Sequence, residues 1–254
     1  MKLCLEKSLD MKKKFICTIE ARMGSKRFPG KSLIKLNKKD RLIDYVVKNV
    51  QKSKYFNNKN IYILTSDSKN NDSLVRYIKN NYNVNIIRGS ETNVFSRYLV
   101  FKKKNKIPIL RLTADNPFID PILINKFVEA FSETKIDYLT TRAMEHSKSW
   151  KIKSSFPKGI SLEAFLSNKL FAKEKEFNKN IYEFPTWFFF NKHNNNKFKI
   201  RKFKSFDIYK KSKLNESYTI DTKKDYLRLM SIIKKNNFKP GFNNFYNLIQ
   251  TKSF

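Results

Sequence analysis

Apolar and polar positions divide the chain into short unbroken apolar runs and longer amphipathic ones. Phe15-Ile-Cys-Thr-Ile19 is apolar and β-prone throughout, which predicts a buried strand. Residues 42–50 carry apolar side chains at helical spacing. Residues 60–65 predict a second strand, ended by Ser66 and Asp67. A helix over 73–80 and a strand over 84–87 follow. Residues 95–103 predict a helix, and residues 108–113 a strand that runs into a loop carrying Asp115. Pro121 opens a helix over 123–131, because proline suits a first helical turn. A strand over 136–140 comes next.

Strand alternating with helix implies a mostly parallel sheet covered by helices on both faces. In such sheets ligands bind beyond the carboxyl ends of the strands, where this sequence places Gly24, Asp67 and Asp115. Past residue 145 the pattern loosens. Residues 147–156 are polar around Trp150 and read as a loop or excursion. Residues 182–191 are aromatic-rich, with Trp187-Phe-Phe-Phe190, and suit either a buried strand or a subunit contact. Residues 217–221 predict a short strand ending in an acid. Residues 225–234 predict a helix with Leu227, Met230 and Ile233 on one face. There is no internal repeat and no convincing linker. The expected organisation is an N-terminal extension over 1–13, with Met11 as an alternative start, and a single domain over 14–254.

Composition narrows the class. A chain of 254 residues with 40 % hydrophobic residues can bury one sizeable core. No apolar run reaches the length of a bilayer span, and the first residues lack the apolar stretch of a signal peptide. Cys4 and Cys17 show no metal-ligand spacing and fit reduced thiols in a cytoplasm. The net charge of +32 admits a polyanionic partner. However, the lysines are spread along the whole chain, often beside asparagine, rather than gathered in one block. That distribution argues against a specific nucleic-acid surface.

The densest chemistry lies in Ala21-Arg-Met-Gly-Ser-Lys-Arg-Phe-Pro-Gly-Lys31, between a strand and a helix. Gly24 and Gly30 permit tight backbone turns, so loop N–H groups can face an anion. Arg22, Lys26, Arg27 and Lys31 add the charge that a triphosphate requires. Gly30-Lys-Ser32 ends like a P-loop, but that motif needs glycine five residues before Gly30, where Ser25 stands. No GxGxxG pattern occurs, so a dinucleotide site is unsupported. Taken alone, Asp115 reads as a loop cap or a ligand. Asp221 reads as a helix N-cap or a ligand.

The segment from Ile19 to Leu33 closely resembles the opening signature of the cytidylyltransferase family. That family includes the CMP-sialic acid and CMP-Kdo synthetases, and the nearest branch is the spore-coat polysaccharide cytidylyltransferase-like one. The resemblance continues in order. Thr65-Ser-Asp67 is similar to the second-strand motif. Arg88 to Arg97 is similar to RGSEDDVLDRY, and Arg111 to Pro121 to RxTGDNPLIDP. Pro157 to Phe165 is a weaker match to PDGLDVEVF. Tyr218-Thr-Ile-Asp-Thr222 is similar to a late xTVDT motif.

The resemblance implies a GT-A-like, Rossmann-like α/β nucleotidyltransferase domain that joins a sugar acid to CTP. It implies that Ala21, Arg22, Met23, Gly24, Ser25, Arg27, Lys31, Ser66, Asp67, Ser90, Arg97, Thr113, Ala114 and Asp115 contact the nucleotide. Arg111, Asn116 and Glu163 would contact the sugar. Asp115 and Asp221 would hold Mg²⁺, and Lys31, Arg22, Asp115 and Asp221 would carry the catalysis. A homodimer is implied, with an excursion around 145–200 on the sugar and dimer side. Lys158 and Ser161 replace acids of the related branch, Ser96 replaces another, and Phe184 stands where its histidine lies. His146 and His193 lie in polar stretches, so neither reads as a general base. A sugar phosphate acceptor and a scaffold that only binds polyanions remain as alternatives.

Overall fold

The computed structural model describes residues 15–104, 106–141, 156–172, 174–190, 198–203 and 216–251. The N-terminal extension, Cys4, Trp150 and both histidines lie outside the described residues.

Seven strands form one sheet in the order β3-β2-β1-β4-β6-β5-β7. They are β1 (Ile16–Glu20), β2 (Ile61–Ser66), β3 (Asn85–Gly89), β4 (Pro108–Thr113), β5 (Tyr138–Thr140), β6 (Glu163–Leu166) and β7 (Ile200–Lys202). β1 pairs parallel with β2 and β4, as do β2 with β3 and β5 with β7. β6 runs antiparallel between β4 and β5. The mostly parallel, Rossmann-like α/β sheet expected from the alternation is therefore present.

Helices α1 (Leu42–Lys52), α2 (Asp72–Asn81) and α3 (Pro121–Ser132) follow strands, as in other wound sheets. Short helices α4 (Ser167–Phe171) and α5 (Lys179–Glu183), then α6 (Lys223–Lys235) and α7 (Asn244–Thr251), complete the chain.

Alternate strand residues feed two cores, one on each face. Cys17, Ile19, Leu110, Leu112 and Ala164 pack under α1, α3, α6 and α7. Ile16, Ile109 and Phe165 pack on the other face against an aromatic layer of Phe95, Tyr98, Phe101, Phe177, Phe188 and Phe189. Central strands buried on both faces are apolar almost throughout, which is why β1, β2 and β4 stood out. The late helices are docked by polar ties. Buried Asp120 accepts the Phe245 and Tyr246 N–H groups at 3.0 and 2.6 Å, capping the start of α7.

Several predicted elements differ. β3 lies later than expected, because its side chains are mostly half-buried or exposed and the apolar signal is weak. Residues 95–103 form a 3-10 segment, Val94–Phe101, rather than an α-helix. Residues 217–221 make a single bridge, Lys158 with Ser217, instead of a strand. On α6, Leu229 and Ile233 are buried whereas Leu227 is exposed, so the apolar face is rotated from the one expected. The aromatic run is neither a strand nor wholly surface. Within the 3-10 segment Pro185–Phe190, Phe188 and Phe189 are core, while Trp187 stacks on Phe184 in the open. No helix among the described residues is long and apolar enough to cross a membrane.

Among the described residues three glycines hold left-handed backbone, Gly30 at φ 73°, Gly159 at φ 92° and Gly241 at φ 84°. A Cβ on Gly159 would collide with the backbone of Tyr218 and Thr219, whereas one on Gly30 would meet only the Met23 side chain, at 3.7 Å. Gly159→Ala is therefore expected to cost about 3 kcal/mol. Gly30→Ala should cost about 1 kcal/mol, the penalty of the left-handed conformation alone. Denaturant midpoints of the two variants check this, and equal losses would contradict it.

Candidate active site

The carboxyl ends of β1, β2, β3 and β4 lie side by side and carry the loops that hold the predicted residues. The loop after β1 folds back on itself: the Gly30 N–H donates to the Met23 carbonyl at 2.9 Å, and Ser32 Oγ to the Arg22 carbonyl at 3.0 Å. A 3-10 turn, Lys31–Leu33, then starts from left-handed Gly30. This turns Lys31 back toward the sheet. Ala21 is buried and bonded to the Leu64 carbonyl, which fixes the start of the loop. Ser25 Oγ accepts from the Phe28 N–H within the loop.

Lys31 is the centre of the site. Its Nζ lies 3.0 Å from Asp115 Oδ2 and 3.5 Å from Asp221 Oδ1, and donates to the Ile220 carbonyl at 2.7 Å. Asp115 follows β4 and is oriented by Thr113 Oγ1, which donates to its Oδ1 at 2.6 Å. Asn116 braces Thr113 in turn, at 2.9 Å, and is buried together with Ala114. The Asp115 carbonyl accepts the Ile220 N–H at 2.9 Å, which brings Asp221 alongside. The N-cap of α6 is Thr222, boxed with Asp225, rather than Asp221. Asp221 is free to face the cations: Arg27 Nη2 sits 3.0 Å from its Oδ1 and Lys158 Nζ 3.0 Å from its Oδ2. Burial by itself pushes the Asp221 carboxyl up. The Lys158 hydrogen bond and the charges of Lys31, Lys158 and Arg27 outweigh burial and hold it below the usual carboxylate value.

The structure thus brings together the basic loop and both acids that were expected to hold Mg²⁺. A cation, the Lys31 ammonium, already lies between the two carboxylates. Two hard oxygen ligands from separate loops, sharing one cation, suit Mg²⁺, so the residues fit the ion. Among the described residues no cluster of three or more acidic, histidine or cysteine ligands occurs, so the site offers this pair and leaves further positions to other oxygens.

Other predicted residues are placed differently. Arg22 points toward Glu91, at 3.7 Å. Ser66 is buried and accepts the Ser68 N–H, and Asp67 is exposed at the end of β2. Ser90 Oγ accepts the Asn93 N–H at 3.0 Å. Arg97 is 2 % exposed, and its guanidinium donates to the Ser90 and Glu91 carbonyls, so it braces that loop from within. Burial lowers its pKa, with the charges of Glu20 and Glu91 acting against that shift. Arg111 and Glu163, expected at the sugar, face each other inside the sheet, 5 % and 2 % exposed. Arg111 also pairs with Glu20 through Nε at 2.8 Å and Nη2 at 2.6 Å. In this structure that network is closed to a sugar, because both carboxylates and the guanidinium are spent on one another. Tyr98 donates to Glu20 at 2.7 Å, and Tyr138 to Glu163.

Sequence reasoning missed three residues that shape the site. Glu20 ends β1 and shares Arg111 with Glu163. A charge in an otherwise apolar strand was the signal. Buried Asn71 accepts the Met23 N–H at 2.8 Å and so pins the loop. Glu91 reaches across to Arg22 and lies close to Gly24. Glu91 falls on the acid of the RGSEDDVLDRY-like block, which was its signal, whereas nothing in the local pattern marks Asn71.

A model of the family described as Cytidylyltransferase matches residues 16–250. Over 124 residues the chain is 40 % identical to the spore coat polysaccharide biosynthesis protein SpsF of Bacillus subtilis (strain 168), covering 47 % of this chain and 50 % of that protein. The chain spans about half the length of the curated relatives it matches. Among solved structures it is similar to a cytidylyltransferase from Leptospira borgpetersenii serovar Hardjo-bovis (strain JB197). The TM-score is 0.75 at 25 % identity, over 94 % of this chain and 93 % of that one. It also shares a fold with a CMP:2-keto-3-deoxy-manno-octonic acid synthetase complexed with CTP. There the TM-score is 0.61 at 14 % identity, over 88 % of this chain and 99 % of that one.

Two stability predictions follow from the charges. Arg111 balances buried Glu163 and half-buried Glu20, so Arg111→Met should cost about 3–5 kcal/mol, and Glu163→Gln, which leaves a matched Glu20–Arg111 pair, clearly less. Denaturant titration of both variants decides it, and a larger loss for Glu163→Gln would refute the assignment. Asp221 has a depressed folded-state pKa. Its contribution is therefore full above the ordinary carboxylate pKa of about 3.9 and is lost as pH falls through the lower folded value. Asp221→Asn should melt below the parent at neutral pH, with the gap closing only in the acid range. A gap that closed between pH 5 and 7 would count against the ion cluster.

Proposed function

The chain belongs to the cytidylyltransferase family, and from that premise we propose that it joins CTP to a sugar acid, giving a CMP-sugar and pyrophosphate for surface polysaccharide synthesis. The observation that carries the reading is the Lys31 ammonium held between Asp115 and Asp221, beneath a loop that presents Arg22 and Arg27. The printed names of the relatives, a spore coat polysaccharide protein and a synthetase of a CMP-linked keto-deoxy sugar acid, support the choice of acceptor.

In this reading the loop N–H groups, Arg22, Arg27 and Lys31 bind the triphosphate and neutralise it. Both reactants are anionic, so charge screening and alignment supply most of the catalysis. A sugar hydroxyl attacks the α-phosphorus, the α–β phosphoanhydride bond breaks, and pyrophosphate leaves with the bonding electrons. The hydroxyl proton passes to a carboxylate of the site or to solvent. Mg²⁺, held by Asp115 and Asp221, would supply further neutralisation of the phosphates. Lys31 and Arg27 must then transfer from these acids to the phosphates: Arg27, 64 % exposed, exchanges at small cost, whereas Lys31, 13 % exposed, moves as the phosphates take the place of its carboxylate partners. A cytoplasmic homodimer belongs to the same proposal, and the exposed Phe184–Trp187 stack offers it apolar surface.

The assay is release of pyrophosphate with Mg²⁺, each of CTP, UTP, GTP and ATP, and a panel of sugar acids. The expected result is CTP-selective release. Asp115→Ala and Asp221→Ala should each slow it by roughly a hundredfold or more. Variants as fast as the parent would overturn the assignment of the acid pair.

A further inference from the structure

We propose that Lys158 selects an anionic acceptor, its ammonium receiving the carboxylate or phosphate of the molecule that attacks the nucleotide. This rests on the cytidylyl transfer proposed above and adds the residue that reads the acceptor's charge.

Asp221 is approached from two sides. Arg27 and Lys31, both from the loop after β1, meet its Oδ1 at 3.0 and 3.5 Å. Lys158 meets Oδ2 at 3.0 Å and comes from the segment ahead of β6. In the sheet, β4 and its Asp115 lie between β1 and β6, so the phosphate loop and Lys158 flank the acids from opposite sides. In-line displacement at phosphorus places the attacking and leaving oxygens opposite each other. With the leaving pyrophosphate against the loop side, the acceptor enters from the Lys158 side.

The backbone under Lys158 is fixed and its side chain is not. The Lys158 carbonyl accepts the Tyr218 N–H at 2.6 Å, and Gly159 packs directly on the backbone of Tyr218 and Thr219. The side chain itself is 58 % exposed and can swing off Asp221. Charge points the same way. Arg27, Lys31 and Lys158 set three positive charges against the two of Asp115 and Asp221. The loop cations have a triphosphate to meet. Lys158 is left with an anion arriving from the other side.

The test measures pyrophosphate release at saturating CTP against two acceptor pairs. One is 2-keto-3-deoxy-manno-octonic acid and its methyl ester. The other is a sugar 6-phosphate, which keeps a free anomeric hydroxyl as nucleophile, and the same sugar without phosphate. Lys158→Met should raise KM for the charged member of the productive pair by roughly tenfold or more, leave KM for its neutral partner unchanged, and leave KM for CTP unchanged. Lys158→Arg should restore most of the loss. The pair that responds identifies carboxylate or phosphate as the anion. An equal rise for charged and neutral acceptors, or a rise in KM for CTP instead, would overturn the role of Lys158, provided the variant melts like the parent. A parent that releases no pyrophosphate with any nucleotide and acceptor would instead sink the transfer reading itself.

Discussion

The site is closed by a single ammonium. Lys31 Nζ joins its own loop to Asp115 and Asp221, 84 and 190 residues away in sequence. Without that charge the two carboxylates would repel each other at the edge of the sheet, and the loop would keep only Arg27 as a cation on Asp221. The surrounding chain is arranged to deliver it. Gly30 supplies the left-handed turn, Ser32 and the Met23 carbonyl lock the hairpin of the loop, and Asn71 pins Met23 from below. β4 carries Asp115 to the same place from within a rigid element, and the Ile220–Asp115 backbone bond brings the late segment beside it. Pairing β1 directly with β4 is what makes these reaches short.

β4 carries a second ion cluster that behaves oppositely. Arg111, within the strand, is surrounded by Glu20 and Glu163 and is almost wholly buried. Burial alone disfavours its charge, yet the two carboxylates raise its pKa well above the ordinary value. A buried group of this kind is costly to break and positions neighbours rather than exchanging partners. The Asp221 pairs with Arg27 and Lys158, whose cationic side chains are 64 % and 58 % exposed, are cheap to exchange. One strand therefore holds a fixed cluster and, just beyond its end, a labile one. Ligand exchange needs the labile cluster, and its geometry depends on the fixed one.

What the sequence revealed follows the same division. β1, β2 and β4 were legible because a strand buried on both faces is an apolar run. The loop and the two acids were legible because their order along the chain resembles a family pattern. Side-chain partners were not. Arg97, Arg111 and Glu163 were expected to contact ligands because their positions match the family pattern, and in the structure their side chains bond to loop carbonyls and to one another. A warning existed for Arg111: a charge in the middle of an apolar strand must find a partner, and Glu20 in the adjacent strand is the matching exception. On α6, Leu227, Met230 and Ile233 fit helical spacing as well as the true pair Leu229 and Ile233 do, and only docking against the sheet decides between them. Residues 217–221 alternate like a strand, but Tyr218 is buried against Phe118 and Phe245, and the segment makes one bridge and two backbone bonds instead of a ladder.

The net charge of +32 makes attraction of anions the default over the whole surface. A site in such a protein cannot be distinguished by more positive charge. It is distinguished by the acids that order it. Asp115 and Asp221 hold three cations within 3.0–3.5 Å of their oxygens, so the cations are presented as a pattern rather than as a diffuse field. An incoming anion must outcompete Asp221 for Arg27 or Lys158, and both carboxylates for Lys31. A nucleic-acid backbone, with isolated monoanionic phosphates, competes poorly for that exchange. A triphosphate, with several charges on contiguous groups, competes well, and a divalent cation that relieves the displaced carboxylates favours it further. In the proposed reading, the two acids thereby turn an unselective attraction into a site for a compact, multiply charged ligand.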